Sequence, residues 1–169
     1  MRGRGNRGCM VSAQRVQDGS KEGSIAIAPA TRADIDGVSE LELVAFADPW
    51  TRQAFEAALK ERHARFHVAH SADGAVVGYL IAWFVLDEGE IANVAVVPTA
   101  RRRGIARALL ETIIAEARAS RMARLFLEVR ESNVVARALY ASMGFAPIAR
   151  RPRYYRKPVE DAIVLRLEL

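Results

Sequence analysis

One cysteine, Cys9, stands among 169 residues, so no intrachain disulfide can form. No apolar stretch is long enough to cross a bilayer. The longest nearly uninterrupted run, Ala75 to Leu86, falls well short of the roughly 18–20 residues a spanning helix needs. The N-terminus carries Arg and Gly where a secretory signal has an apolar core. Together these absences predict a cytoplasmic protein with no membrane contact. No linker or internal repeat follows Ile25, and at roughly 100–200 residues per domain the length leaves room for a single domain. A hydrophobic share of 51% with 27% charged residues excludes collagen-like, mucin-like and wholly disordered chains.

A large charge excess is missing as well, once the net +5 is divided along the chain. Residues 1–24 hold Arg2, Arg4, Arg7, Arg15 and Lys21 against Asp18 and Glu22, a net +3, which leaves the body at +2. The body therefore lacks the footprint of a nucleic-acid binder, and stable nucleic-acid binding by the folded domain is not expected. The domain is expected to act as a monomer. Residues 1–24 are rich in Gly, Ser, Arg and Gln without apolar periodicity, and read as a disordered tail. Gly3, Gly5 and Gly8 match G-x-G-x-x-G, but a dinucleotide site needs a strand before and a helix after it. An RNA-contacting Arg-Gly arm, or translation from Met10, are the other readings of this segment.

From Ile25 onward strand-like and helix-like segments alternate. The pattern predicts a strand at Ile25–Ala28, a helix from Asp34 to Ala45 near a Thr31 cap, and a second helix capped by Thr51 and reaching Arg62. Strands at Arg65–Ser71 and Val76–Leu86 flank the hairpin signal Asp73-Gly74, and a third runs Glu90–Val97. A long helix follows over Gly104–Ser120, with Ile105, Leu109, Ile113 and Ala117 on its buried face. Then come a strand at Arg124–Arg130, a helix from Asn133 to Met143 closed by Gly144, and an antiparallel pair at Ile148–Tyr155 and Ala162–Leu169. The class is α/β or α+β, a mixed sheet covered by helices.

Chemistry concentrates in two stretches. In the first, a strand containing Val94-Ala95-Val96 stops at Pro98, and Arg101-Arg102-Arg103-Gly104-Ile105-Ala106 leads into a helix. Unpaired N–H groups and the dipole at a helix start suit a pyrophosphate, and Gly104 permits close backbone approach. A plain surface helix start with a solvated arginine run gives the same pattern. In the second, Leu125, Leu127 and Val129 face one side of their strand while Phe126, Glu128 and Arg130 face the other. Glu128 is thereby a partly buried carboxylate, which is costly unless used or paired. Seven residues separate Asn133 and Tyr140, about 20° around a helix, so both lie on one face. Val135, Leu139 and Ser142/Met143 are read as the packing face, leaving Tyr140 to point toward a cleft or to serve as a core-edge aromatic. His63, His67 and His70 lack metal-ligand spacing, and no metal is expected.

Arg101-x-x-Gly104-x-Ala106 resembles the acetyl-CoA motif Q/R-x-x-G-x-G/A of the GCN5-related N-acetyltransferases. The block LEVRxSNxxAxxLYxxxGF, with Phe46-x-x-Pro49-Trp50, Tyr154-Tyr155 and Glu160-Asp161-Ala162-Ile163, resembles the RimI family, bacterial enzymes that acetylate N-terminal alanines of ribosomal proteins. This similarity spans nearly all of residues 25–169, a single N-acetyltransferase domain, with Thr51 replacing the usual Ser after Trp50. It implies the fold of that superfamily, a mostly antiparallel mixed sheet of about six to seven strands with about four helices. It also implies acetyl-CoA as co-substrate, held by Val94, Ala95, Val96, Arg101, Arg102, Arg103, Gly104, Ile105, Ala106 and Asn133, with one backbone N–H of Val94 or Val96 polarising the thioester carbonyl. Glu128 is implied as general base and Tyr140 as general acid, acting by direct attack without an acyl-enzyme. Phe46, Pro49 and Trp50 on one wall, with Tyr154 and Tyr155 on the other, are implied to take the substrate N-terminus, expected to be that of small-subunit ribosomal protein eighteen. Two other functions fit the same residues: acetylation of a different N-terminus, lysine or small amine, and a non-catalytic acetyl-CoA-sensing or ribosome-associated module.

Overall fold

A computed structural model describes residues 14–16 and 24–169. Strands form where β-branched and aliphatic residues concentrate: Gln14–Val16 (β1), Ile25–Pro29 (β2), Ala64–His70 (β3), Val76–Val85 (β4), Glu88–Val96 (β5), Arg124–Arg130 (β6), Ala146–Arg156 (β7) and Val159–Glu168 (β8). Four α-helices, Ile35–Ala45 (α1), Arg52–Ala58 (α2), Ile105–Ala119 (α3) and Val134–Ser142 (α4), and two 3₁₀ turns, Arg32–Asp34 and Pro98–Ala100, complete the described elements. The strands join in one sheet of order β1-β2-β3-β4-β5-β6-β8-β7. Every neighbouring pair is antiparallel except β5 and β6. This is the mixed, mostly antiparallel sheet with four helices that the resemblance implies.

Two differences from the sequence reading have simple causes. Gln14–Val16, in the segment read as disordered, forms an edge strand with Val16 opposite Ile25 and Gln14 opposite Ile27. The pairing is through backbone groups, which composition does not signal. Residues 1–13 and 17–23, with Cys9 and the three-glycine match, lie outside the described residues. The second helix stops at Ala58 instead of Arg62 because Lys60 N–H and Glu61 N–H bond back to Ala57 and Ala58 carbonyls, tightening the turn into β3. Its start is as read, with Thr51 Oγ1 accepting from Ala54 N–H at 3.2 Å.

The sheet has a core on each face. Ile35, Val38 and Leu41 of α1 and Phe55 of α2 pack on Phe66, Val68, Tyr79 and Ile81. On the other face Ile105, Leu109, Ile113 and Ala117 of α3 are buried against Leu80, Ala82, Ile91, Leu125 and Leu127, the four-residue spacing read from the sequence. α3 is the crossover that parallel β5 and β6 require.

The parallel pairing is short. It runs from Glu88 opposite Arg124 to Ile91 opposite Leu127 and stops. β5 continues along β4 to Val96, and β6 continues along β8 to Arg130. An irregularity sits at the divergence, where Ala82 pairs with Ile91 but Ile81 pairs with Asn93. The extra residue, Ala92, bends β5, and the sheet opens at the carboxyl ends of its two parallel strands.

Gly89 is the tight point in the paired stretch: a Cβ there would lie 2.4 Å from Leu125 Cδ2 and 3.1 Å from the Phe84 ring. Gly89→Ala is expected to lower stability by about 1–3 kcal/mol, read as a lower urea midpoint with an unchanged slope.

Candidate active site

The opening is lined on one side by backbone. Val97 N–H donates to Val77 O on β4 at 2.9 Å. Polar groups alternate along a strand, so Asn93 and Ala95 also face β4, while those of Val94 and Val96 face the gap that β6 has left. Arg101 Nε engages Val96 O at 3.3 Å, leaving the Val96 N–H on the open edge. Beyond the Pro98–Ala100 turn the chain passes through Arg102 (φ 60°) and Gly104 (φ 78°) into α3. A Cβ on Gly104 would meet nothing within 4 Å, so the left-handed backbone, not crowding, asks for glycine, and the space above it is free. The first helical bond shown is Ala108 N–H to Gly104 O, so the N–H groups of Ile105, Ala106 and Arg107 point out of the helix end.

These groups line a cleft of about 870 Å³. It brings together Val94, Ala95, Val96, Arg101, Arg102, Gly104, Ile105, Ala106, Asn133 and Tyr140. Arg103 is not on this lining, and Arg107, one helical position not singled out from the sequence, is. An outward N–H cluster flanked by arginines suits a diphosphate, and an unpaired strand edge suits the amides of an extended arm.

A second cleft of about 480 Å³ adjoins it, sharing Phe46, Val94, Asn133 and Tyr140. Trp50, Glu128, Tyr154 and Tyr155 line it, while Pro49 is not on the lining. The Glu128 side chain is 16% exposed and held at both oxygens: Arg151 Nη1 lies 2.9 Å from Oε1, and the Tyr154 hydroxyl donates to Oε2 at 3.1 Å. The partner that makes this half-buried carboxylate tolerable is thus Arg151, on β7, which the sequence reading did not single out. Tyr154 and Tyr155 pack edge to face, and the Arg130 guanidinium stands 4.0 Å from the Tyr155 ring centre.

The α4 packing face keeps Leu139 and Met143 of the sequence reading but not Val135. Val135 is 81% exposed and Tyr140 only 6%, with Ala136, Leu139 and Met143 packed against the same core. The helix turns Tyr140 inward because its ring meets Phe145, 5.9 Å away edge to face, directly after the Gly144 turn. Burial, with a smaller contribution from Tyr155, pushes the Tyr140 phenol up to about 12. Burial likewise pushes Tyr155 up to about 12 although Arg130 pulls the other way, and burial and then Glu128 raise Tyr154. All three phenols remain proton donors at neutral pH. Asn133 caps α4, its Oδ1 accepting from Ala136 N–H at 3.1 Å.

Glu42 of α1 also lines the second cleft and was not read as functional. The signal was available: it lies seven residues after Ile35 and four after Val38, a carboxylate on the buried stripe of its helix. The histidines serve elsewhere, His67 Nε2 at 2.9 Å from Glu116 and His70 Nε2 at 2.7 Å from Asp34. Among the described residues, no three His, Cys, Asp or Glu side chains are grouped to hold a metal, and no helix is long and apolar enough to cross a membrane.

Residues 35–145 match the Acetyltransferase (GNAT) family. The chain is 38% identical over 138 residues to the [Ribosomal protein bS18]-alanine N-acetyltransferase of Escherichia coli (strain K12), covering 80% of this chain and 92% of that protein. It is 36% identical over 148 residues to N-alpha-acetyltransferase RimI of Mycobacterium tuberculosis (strain ATCC 25618 / H37Rv), covering 84% and 91%. The crystal structure of the ribosomal-protein-S18-alanine N-acetyltransferase from Escherichia coli superposes with a TM-score of 0.79 at 34% identity, covering 85% of this chain and 93% of that one.

Because Asn133 is the α4 cap, Asn133→Ala is expected to cost about 1 kcal/mol and Asn133→Ser to recover most of it, measured by urea unfolding.

Proposed function

The chain belongs to the acetyltransferase (GNAT) family and is an acetyl-CoA-dependent N-acetyltransferase; from that premise we propose that it acetylates the α-amino group of the N-terminal alanine of ribosomal protein bS18. The observation that carries the proposal is the pair of adjoining clefts. One has an outward helix terminus and a free strand edge, and the other has a carboxylate and tyrosines, with Tyr140 and Asn133 on both linings. The substrate named for the Escherichia coli relative supports the choice of amine.

Acetyl-CoA supplies an acyl carbon activated as a thioester. The N–H groups at the start of α3, with Arg101, Arg102 and Arg107, hold its diphosphate, and the Val94 and Val96 edge aligns its amide-bearing arm. One of those N–H groups donates to the thioester carbonyl oxygen. Phe46 and Trp50 face Tyr154 and Tyr155 across the second cleft and bind the peptide end, so the amine is presented at the acyl carbon. A free α-amine has a pKa of about 8 and arrives largely as ammonium. Glu128, directly or through water, takes that proton at its carboxylate, and the nitrogen lone pair then attacks. The tetrahedral oxyanion formed by the attack collapses with cleavage of the C–S bond as Tyr140 donates its phenolic proton to the departing sulfur, a role for which a phenol held protonated by burial is suited. The phenolate takes up the second proton that the nitrogen releases as the amide forms.

Purified protein with acetyl-CoA and a peptide panel starting in Ala, Ser or Met, plus an internal-Lys control, tests the activity by mass spectrometry. One added acetyl group on the α-amine of the Ala peptide is the expected result. Acetylation only of lysine would overturn the proposal, as would acetyl-CoA binding without any peptide product. Glu128→Gln is expected to lower kcat by about 10²–10⁴ while acetyl-CoA affinity, read by calorimetry, is unchanged. The raised Tyr140 pKa favours the neutral phenol, so its proton is retained until pH nears about 12. Wild-type kcat is therefore expected to stay level between about pH 8 and 10, and Tyr140→Phe to lower kcat throughout that window.

A further inference from the structure

Glu42 is a carboxylate with 1% exposure and no basic side chain paired with it among the described residues. A charge in that position needs donors, and it has them from three elements. Trp50 N–H donates to Oε1 at 2.9 Å, the Tyr79 hydroxyl donates to Oε2, and Asn93 Nδ2 donates to both oxygens at 3.2 and 3.3 Å. An ionised carboxylate only accepts, so it dictates the orientation of whatever amide faces it. Asn93 must turn its NH₂ toward Glu42, and its Oδ1 is thereby directed away from the acid. That oxygen receives no hydrogen bond from any described residue, and Asn93 lines the same cleft as Glu128 and Trp50.

The chemistry left vacant by this network is a donor in the substrate cleft. Among the described residues no donor fills that position, and the incoming substrate carries one at its α-nitrogen. Resting on the α-amine acetylation proposed above, we propose that Asn93 Oδ1 accepts a hydrogen bond from the substrate's terminal nitrogen, and that Glu42 is the positioning residue that holds the amide in that orientation. The hydrogen bonds that Asn93 Nδ2 donates to Glu42 polarise the amide, strengthening the acceptor. Its bond to Trp50 N–H also ties the wall of the cleft to α1, so one buried carboxylate sets both the wall and the acceptor.

Glutamine at position 42 would present its own NH₂ to this cluster, and the Asn93 amide would flip to offer a donor where the ammonium needs an acceptor. Steady-state kinetics with acetyl-CoA and an Ala-initiated peptide test this, with folding monitored by thermal melting. Wild-type turnover of the peptide comes first: if it is absent, the proposed function fails, and the inference about Asn93 falls with it. With wild-type turnover present, Glu42→Gln and Asn93→Ala are each expected to raise the peptide KM about tenfold, with the acetyl-CoA KM unchanged. Glu42→Gln/Asn93→Ala is expected to be no worse than Asn93→Ala, because the glutamine Oε1 still accepts from Trp50 N–H and the two substitutions otherwise act on one contact. Tyr79→Phe removes a donor from Glu42 and the hydroxyl that lies against the Asn93 amide but leaves both Asn93–Glu42 bonds, so it is expected to lower the melting temperature and to raise the peptide KM less than Glu42→Gln does. Additive effects of the two substitutions, equal loss for both substrates, or a Tyr79→Phe shift as large as that of Glu42→Gln would overturn the inference and leave Glu42 a packing residue.

Discussion

The interruption of one strand pair governs this molecule. β5 and β6 are the only parallel neighbours in the sheet, and their ladder ends at Ile91 and Leu127 while each strand continues with its other neighbour. A sheet that parts this way exposes backbone donors and acceptors in its interior, which is costly unless a ligand completes them. The same parting sets Glu128 across a gap from Val94, and it lets α4 lean Tyr140 into both clefts. The extra residue Ala92 supplies the bend, and α3, needed in any case as the parallel crossover, brings its N-terminus to the mouth of the opening.

Around that gap the polar groups divide by protonation chemistry. Burial keeps Tyr140 and Tyr155 as donors, and Glu128 and Glu42 are carboxylates on the lining of the second cleft. The two acids are held differently. Glu128 is met by a guanidinium and a phenol from β7, at the surface of the cleft, whereas Glu42 is buried among neutral donors. A carboxylate at the surface of a cleft is within reach of whatever binds there. One enclosed by fixed neutral donors suits a group that sets the geometry of others.

Much of the fold was legible because single periodicities carried it. The four-residue spacing of Ile105, Leu109, Ile113 and Ala117 and the alternation of Leu125, Leu127 and Val129 each reported a face that is in fact buried. Where a face is defined by a neighbour instead, the reading failed. On α4 both Val135 and Tyr140 are apolar enough to pack, and only the position of Phe145 selects Tyr140. Gln14–Val16 pairs through its backbone, and α2 ends at a turn dictated by the entry into β3. In the candidate site, the lining residues from Val94 to Ala106 lie close together in the chain and could be found as a run, with Arg103 turned off the lining and Arg107 on it. Arg151, Glu42 and Asn93 lie far apart in sequence and meet only across strands and a helix.

The sequence by itself determined the class of fold, the family and the side chains able to exchange protons, because these follow from residue identity and local spacing. The tertiary structure alone decided which of those groups meet. Hydrogen bonds act over about 3 Å, and the approach of Glu128 to Arg151, or of Glu42 to Asn93, depends on where a sheet parts and how a helix lies on it, which no local pattern contains.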